Sequence, residues 1–218
     1  MYEAPPIVYL VDDDLSVLRS LTRLLDGRGF EIAAHATAHS FLKDHDTARC
    51  GCVVLDLMIP GMDGLRLQER LAACGRPIIF LSGHGDLSTG VLAMKAGAVD
   101  FLVKPALETD LLEAIRRAID LDVKARAERA ERDLLSERLA LLTPRERQVF
   151  DLVAAGRLNK QVAAELGTAE KTVKVHRARV MNKLGARSVV DLARIADRTR
   201  TATLPPRLEL RGEVSASH

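Results

Sequence analysis

Polar side chains follow directly on several short apolar runs of this 218-residue chain. They are Asp12, Asp13 and Asp14 after IVYLV, Asp56 in VVLDLM, Ser82 in IIFLS and Lys104 in FLVK. If the runs are parallel strands, these residues meet at the carboxyl edge of one sheet, where such sheets bind ligands. Two carboxylates about 4 Å apart repel by roughly 4 kcal/mol at an effective dielectric near 20, so the cluster requires a counter-ion.

An acidic pocket with one lysine suits Mg²⁺, with Mn²⁺ as the alternative, because hard divalent cations prefer oxygen ligands. A metal held by carboxylates can neutralise a phosphoryl group during transfer, while Lys104 adds positive charge and Ser82 a hydrogen bond. Asp56, alone on the middle strand, is the expected nucleophile. The competing interpretation is that acids at strand ends only cap helices, and it fits Asp14, which precedes the helix starting at Leu15.

Five apolar runs recur about every 20 to 25 residues and alternate with segments of helical spacing, which indicates a strand–helix repeat. The runs are IVYLV, FEIAAH, CVVLDL, PIIFLS and VDFLVK. This alternation predicts an α/β fold, a doubly wound five-stranded parallel sheet covered by helices on both faces.

From about Leu107 the pattern becomes purely helical and contains neither Gly nor Pro until Pro144, which predicts a long linker helix. The motif TPRE then begins a separate all-α unit, with Thr143 as N-cap and Glu146 completing a capping box. A short helix is expected from Asn159 to Leu166, followed by a left-handed Gly167.

Two further helix starts are expected beyond that turn. Thr168 is predicted to cap the next helix, and Ser188 with Asp191 repeats the capping pattern for the last one. The segment from about Thr199, with Pro205 and Pro206, is expected to be a disordered tail.

The charge is unevenly distributed along the chain. Residues 1–122 hold 12 basic and 18 acidic residues, and the remainder holds 20 and 12, so the halves carry −6 and +8. An acidic module joined to one that meets a polyanion fits this division, although solvated charged surfaces would also produce it. The sequence has no apolar run long enough for a membrane span and no signal peptide, so we expect a cytoplasmic protein.

The basic half contains a helix, a short turn with glycine and a second helix, the outline of a helix-turn-helix. On the second helix Val173, His176, Val180 and Leu184 share the inward face. Lys174 is placed to reach guanine and Val175 a thymine methyl. The residues better placed to contact phosphates are Asn159, Lys160, Thr172, Arg177 and Lys183. The predicted DNA contacts are Asn159, Lys160, Lys171, Thr172, Lys174, Val175, Arg177, Ala178, Arg179, Asn182 and Lys183. An ordinary solvated amphipathic helix is the alternative.

Residues 7 to about 120 resemble the receiver domains of bacterial two-component response regulators through VDDD, LDLMIPGMDG, FLSGHGD and KAGAVDFLVKP. The resemblance implies strand order 2-1-3-4-5 and a cis Lys104-Pro105 bond. It implies that Asp56 accepts a phosphoryl group from a sensor histidine kinase, with Mg²⁺ held by Asp12, Asp13, Asp56 and the Met58 carbonyl. Ser82 and Phe101 match the switch pair and Lys104 the phosphate-binding lysine. Met58 and His84 occupy positions that tune dephosphorylation, and Phe101 replaces a tyrosine common in the family.

Residues 141 to about 197 resemble the four-helix DNA-binding domain of the LuxR type, through TPRE, NKQVA and TVKVH. Ala178 stands where some relatives carry a basic residue. Together the two resemblances identify the chain as a member of the NarL/FixJ subfamily, closest to its FixJ-like branch. The expected division is a receiver over 1–122, a helical linker over 123–140, the DNA-binding domain over 141–198 and the tail over 199–218.

The subfamily implies a transcription regulator, not an enzyme, that forms a homodimer on phosphorylation and binds double-stranded DNA, with RNA polymerase as a further candidate partner. Two alternatives stay open. One is an aspartyl-phosphate phosphatase, although phosphatases resembling the haloacid dehalogenase group carry DxD on the first strand. The other is a DNA-binding or scaffold protein whose receiver is silent.

Overall fold

The computed structural model of the protein describes residues 4–83 and 87–201. Its strands are β1 (Ile7–Val11), β2 (Glu31–His35), β3 (Gly51–Leu55), β4 (Met58–Ile59), β5 (Met62–Asp63), β6 (Ile78–Ser82) and β7 (Asp100–Val103). Five of them form a parallel sheet in the order β2-β1-β3-β6-β7, and β4 with β5 forms a small antiparallel hairpin. Apart from that hairpin, the order is the one predicted, so the α/β prediction is confirmed.

Nine helices accompany these strands within the described residues. They are α1 (Leu15–Leu25), α2 (Ala38–Asp44), α3 (Gly64–Ala72), α4 (Leu87–Lys95), α5 (Glu108–Ala140), α6 (Pro144–Ala154), α7 (Asn159–Glu165), α8 (Glu170–Leu184) and α9 (Val189–Thr201). None of the helices described is long and apolar enough to cross a membrane.

The sheet is buried on both faces, because every residue of β1, β3 and β6 is buried. On one face Tyr9 packs in the same apolar cluster as Phe41 of α2 and Leu67 of α3. On the other face Leu10 shares a cluster with Leu18 of α1 and residues of α5. Alternate strand residues therefore serve opposite cores, as a doubly wound sheet requires.

The long helix predicted between the two halves is α5, which runs unbroken from Glu108 to Ala140. The chain divides into two compact units within this helix, between Glu128 and Arg129. The linker is thus a continuation of the last helix of the N-terminal unit and has no break of its own at its predicted start, residue 123.

The C-terminal unit holds α6 to α9 around a core that includes Phe150, Val162, Val180 and Leu192. Two of its helices, α6 and α9, begin with the capping residues that the sequence predicts. Thr143 and Glu146 form the predicted capping box. At the start of α9 the Asp191 amide donates to Ser188 Oγ over 3.1 Å, and the Ser188 amide donates to Asp191 Oδ2 over 2.9 Å.

The prediction for Thr168 is wrong, because the N-cap of α8 is Ala169, which makes no side-chain cap hydrogen bond. Gly167 does adopt the predicted left-handed conformation, with φ 61°. The backbone amide of Thr168 donates a hydrogen bond to the Ala163 carbonyl over 3.0 Å and so belongs to the C-terminal end of α7. The next helix therefore starts one residue later than predicted. Helix α9 continues to Thr201, and residues 202–218 of the predicted tail lie outside the described residues, as does His84.

Candidate functional site: an acidic pocket and a basic helix

The acidic pocket lies where β1, β3 and β7 end. Strand register places Val11 beside Leu55, so Asp12 and Asp56 follow on adjacent strands. Lys104 follows the last residue of β7, and its backbone amide donates to the Ser82 carbonyl over 2.8 Å. The parallel sheet therefore brings together side chains that lie up to 92 residues apart in the sequence.

The carboxylates and the lysine are in direct contact. Lys104 Nζ donates to Asp12 Oδ2 over 2.5 Å and to Asp56 Oδ1 over 3.2 Å. One oxygen from each of Asp12, Asp13 and Asp56 lies within 4.8 Å of the others. Asp12 and Asp56 are buried, whereas Asp13 is exposed at the mouth of the pocket. Asp14 is not part of the pocket, because it caps α1 by accepting the amide of Ser16 over 2.7 Å.

Burial and a neighbouring carboxylate both disfavour the ionised form of Asp56. Burial raises the pKa of Asp56, and the charge of Asp12 adds to this effect while the ammonium of Lys104 opposes it. Burial lowers the pKa of Lys104, but its hydrogen bond to Asp12 and the charges of both carboxylates outweigh burial and raise it overall. A divalent cation with oxygen ligands would relieve this repulsion, so the side chains present fit Mg²⁺.

The remaining pocket residues surround this cluster. Met58, whose carbonyl is a predicted metal ligand, is exposed on β4, two residues after Asp56. Ser82 is fully buried at the end of β6. The half-buried ring of Phe101 lies 6.3 Å from that of Phe80 and packs against Gly90 of α4, where an added Cβ would come within 3.3 Å of the ring. The Lys104-Pro105 peptide bond is cis, as the resemblance implies.

The second candidate site is the exposed face of α8. Val173, Val180 and Leu184 are buried against the helical core, and His176 beside them is half-buried. The outward face presents most of the residues predicted to contact DNA: Lys171, Thr172, Lys174, Val175, Ala178, Arg179 and Asn182 are all exposed. The helix therefore has the buried and exposed faces that the sequence predicts.

Three of the predicted phosphate contacts, Asn159, Arg177 and Lys183, are half-buried and hydrogen-bonded to neighbouring side chains. Arg177 Nη1 donates to Asn159 Oδ1 over 3.2 Å, which joins α8 to the start of α7. Lys183 is paired with the buried Glu146 over 2.7 Å. Lys160 on α7, by contrast, is exposed.

Sequence reasoning missed a buried ion-pair network at the opposite, amino end of the sheet. Asp122 of α5 accepts hydrogen bonds from Arg76 over 3.4 Å and Arg126 over 2.8 Å, and from the amide of Gly51 over 2.9 Å. Arg126 and Asp122 are four residues apart on a helix, which the sequence shows, but no pattern identifies Arg76 as the third member. This network joins α5 to the start of β3 and the loop before β6.

Two family models match the chain. A response regulator receiver domain matches residues 8–116, and the luxR family of bacterial regulatory proteins matches residues 140–196. The response regulator protein TmoT of Ectopseudomonas mendocina is 43% identical over 202 residues, which cover 92% of each chain. The transcriptional regulatory protein FixJ of Rhizobium meliloti is 42% identical over 191 residues, covering 87% of this chain and 94% of FixJ.

A solved structure is similar to most of the chain. The response regulator StyR is 45% identical, with a TM-score of 0.81 over 89% of this chain and all of StyR. The relatives named here carry the names of response regulators or transcriptional regulators, in agreement with the expected role in transcription. The chain therefore belongs to the two-component response regulators of the NarL/FixJ subfamily, with a receiver domain and a LuxR-type helix-turn-helix domain.

Proposed function

We propose that Asp56 is the phosphoacceptor of a DNA-binding transcriptional switch. The observation that carries this proposal is the position of Asp56, buried at the end of β3, 3.2 Å from Lys104 Nζ and among the oxygens of Asp12 and Asp13. An Asp56 Oδ atom attacks the phosphorus of a phosphohistidine in a sensor kinase. The N–P bond breaks, and the imidazole leaves with its electron pair.

The residues around Asp56 have separate roles in this step. Asp12, Asp13, Asp56 and the Met58 carbonyl would hold Mg²⁺, which supplies positive charge to the transferring phosphoryl oxygens when bound. Lys104 moves from its resting contact with Asp12 to a phosphoryl oxygen, and Ser82 donates its hydroxyl to another. The conformational change at Ser82 is then transmitted to Phe101, whose ring packs against α4.

Phosphorylation is proposed to produce a homodimer through the surface next to this switch. Helix α4 and strand β7 expose the large apolar side chains Val91, Leu92, Met94 and Val103, each at least 44% accessible. Burying such a patch between two copies removes apolar area from water. The dimer would present two DNA-binding units to two half-sites, in a cytoplasmic protein with RNA polymerase as a further partner.

The domain division proposed for this mechanism is a receiver over 1–122, a helical linker over 123–140 and a DNA-binding domain over 141–198. On α8, Lys174 and Val175 would contact base edges, since they lie on its exposed face. Asn159 and Lys160 of α7, with Thr172 and Arg177 of α8, would contact phosphates, which position the protein without reading sequence.

The first test is the molar mass of the full chain by light scattering, with Mg²⁺ and beryllofluoride as a stable substitute for the phosphoryl group. We expect a shift from monomer to dimer in the wild type and in the control Asp120→Asn, whose carboxylate is exposed on α5. Asp56→Asn should remain a monomer. A dimer in Asp56→Asn would refute Asp56 as the switch, and no shift in the wild type would favour a silent receiver.

The second test is binding to a duplex selected from a randomised DNA pool. Contacts to phosphates release counter-ions, so the logarithm of the affinity should fall linearly with the logarithm of salt concentration, by about 0.9 per contact. Lys174→Ala should weaken binding and relax the sequence preference. Affinity that responds neither to salt nor to Lys174→Ala would refute the DNA assignment.

Turnover of a small phosphate ester by Asp56→Asn would instead favour the phosphatase alternative. The structure offers one observation against it, because Asp56 follows the third strand in chain order and is a single acid without the DxD spacing.

A further inference from the structure

Lys183, near the end of α8, directs its ammonium group inward. Its Nζ donates to Glu146 Oε2 over 2.7 Å and to the Leu141 carbonyl over 2.9 Å. The side chain is 33% exposed, whereas that of Lys174 on the same helix is 64% exposed and lies 3.3 Å from Glu170. Lys183 and Lys174 thus have different environments although the sequence presents both as basic residues of one helix.

The partner of Lys183 is a carboxylate that is itself held in place. Glu146 is buried, and its Oε2 also accepts the Thr143 amide over 2.9 Å in the capping box of α6. The hydrogen bond from Lys183, followed by that from the Thr143 amide, lowers the pKa of Glu146 to about 2. The carboxylate is therefore ionised at neutral pH, and withdrawing Lys183 would leave a buried charge with one donor fewer.

A second contact holds the same end of α8. Arg138, in the last turns of α5, donates from Nη1 to the Leu184 carbonyl over 3.4 Å. The same nitrogen lies 3.1 Å from where a Cβ on Gly185 would stand, and Gly185 ends α8 in the left-handed conformation with φ 66°. Hydrogen bonds thus link the last residues of α8 to the end of α5 and to the start of α6.

We propose that Lys183 is a positioning residue that sets the placement of α8 through Glu146, and that it does not contact a DNA phosphate. This inference rests on the proposed DNA-binding function of α8 and replaces the sequence-based role of Lys183. The lysine is engaged by a buried carboxylate and a backbone carbonyl. Turning it toward a phosphate would break both hydrogen bonds and leave Glu146 partly unpaired.

Glu146→Gln separates the two roles, because glutamine preserves the capping box of α6 while removing the charge that holds Lys183. If Lys183 positions α8, Glu146→Gln and Lys183→Met should each weaken binding to the selected duplex about tenfold, as expected when a base contact is misplaced. The double variant should be no weaker than either single one, since both break the same contact. If Lys183 bound a phosphate, Glu146→Gln would release it and leave the affinity unchanged or higher.

The salt dependence gives an independent measurement on the full chain with beryllofluoride and constant Mg²⁺. Lys183→Met should leave the salt slope unchanged, whereas the control Lys160→Met, an exposed predicted phosphate contact, should lower it by about 0.9. A slope reduced by Lys183→Met would overturn the inference and leave the DNA-binding function intact. Absence of duplex binding by the wild type would overturn both. Circular dichroism at the assay temperature identifies any variant that has lost its fold. If Lys183→Met is unfolded, the affinity of the milder variant Glu146→Gln distinguishes the positioning role from the phosphate contact.

Discussion

Asp122→Asn tests the buried network that the sequence did not reveal. The side chains of Asp122 and Arg76 are only 2% and 1% exposed. Asparagine keeps the size of the side chain and an oxygen for the Gly51 amide, but it removes the charge facing Arg76 and Arg126. Breaking a buried ion pair on one side costs about 3 to 5 kcal/mol, because the remaining charge stays buried without its partner.

We expect a loss near the lower end of this range, about 3 kcal/mol, because Arg76 keeps other acceptors. Its Nη1 also donates to the Arg49 carbonyl over 2.8 Å, and its Nη2 to the Asp46 carbonyl over 2.7 Å. The unfolding temperature of the N-terminal unit should fall by about 10 °C, given the usual unfolding entropy of a domain of this size.

Tyrosine circular dichroism in the near ultraviolet can follow this transition selectively. The chain contains no Trp, and its two tyrosines, Tyr2 and Tyr9, both precede the boundary between the units. Asp120→Asn is the matched control, because it removes an exposed carboxylate two residues away on the same helix. A loss below about 1 kcal/mol in Asp122→Asn, comparable to that in Asp120→Asn, would refute the reasoning, since such values are typical of exposed pairs.

Three further predictions concern the same unit. Burial, with a contribution from the charge of Arg76, lowers the pKa of His45 to about 4. Between pH 6.5 and 4 the unfolded chain therefore binds more protons than the folded chain. The free energy of unfolding should fall by about 2 to 3 kcal/mol as the pH falls through this window. Denaturant titrations should show a smaller fall in His45→Gln. Gly51→Ala should lower the free energy of unfolding by about 3 kcal/mol or more, because the new Cβ would stand 1.8 Å from the Ile7 carbonyl oxygen. The control Gly83→Ala, where a Cβ would meet open space, should change it by less than about 1 kcal/mol in the same titration. Mg²⁺ at ten times its dissociation constant should stabilise the unit by about 1.4 kcal/mol in thermal unfolding, and an equal gain in Asp13→Asn would contradict its role as a ligand.

The sequence predicted the parts of the fold that depend on local pattern. Apolar runs located all five strands of the main sheet. The signal is clearest for the three inner strands, since parallel strands buried on both faces form continuous apolar segments, whereas the edge strands β2 and β7 are partly exposed. Topology then brought Asp12 and Asp56 together, because residues at the carboxyl ends of adjacent parallel strands are neighbours whatever their separation in sequence. Lys104 follows a strand two places beyond β3 and reaches both carboxylates with its long side chain. The capping box of Thr143 and Glu146 was predictable because its two members are three residues apart.

Contacts between distant elements were not predictable in this way. Arg76 and Asp122 lie 46 residues apart, and each alone resembles a charged residue on a solvated surface. Lys183 lies 37 residues from Glu146, and on a basic helix its charge suggested DNA. The burial that distinguishes these pairs arises only when the helices pack, so a single sequence does not display it.

The strand order also determines when the sheet can be completed during synthesis. β1 is made first but lies between β2 and β3, and β3 must wait for β6. The apolar face around Leu10 is covered only in part, by Leu18 and Leu25 of α1, until Leu111 and Ile115 of α5 have left the ribosome. A nascent chain that stops before α5 therefore exposes an apolar sheet face to other chains, whereas the C-terminal unit, built from neighbouring helices, can fold from local contacts as soon as it is made.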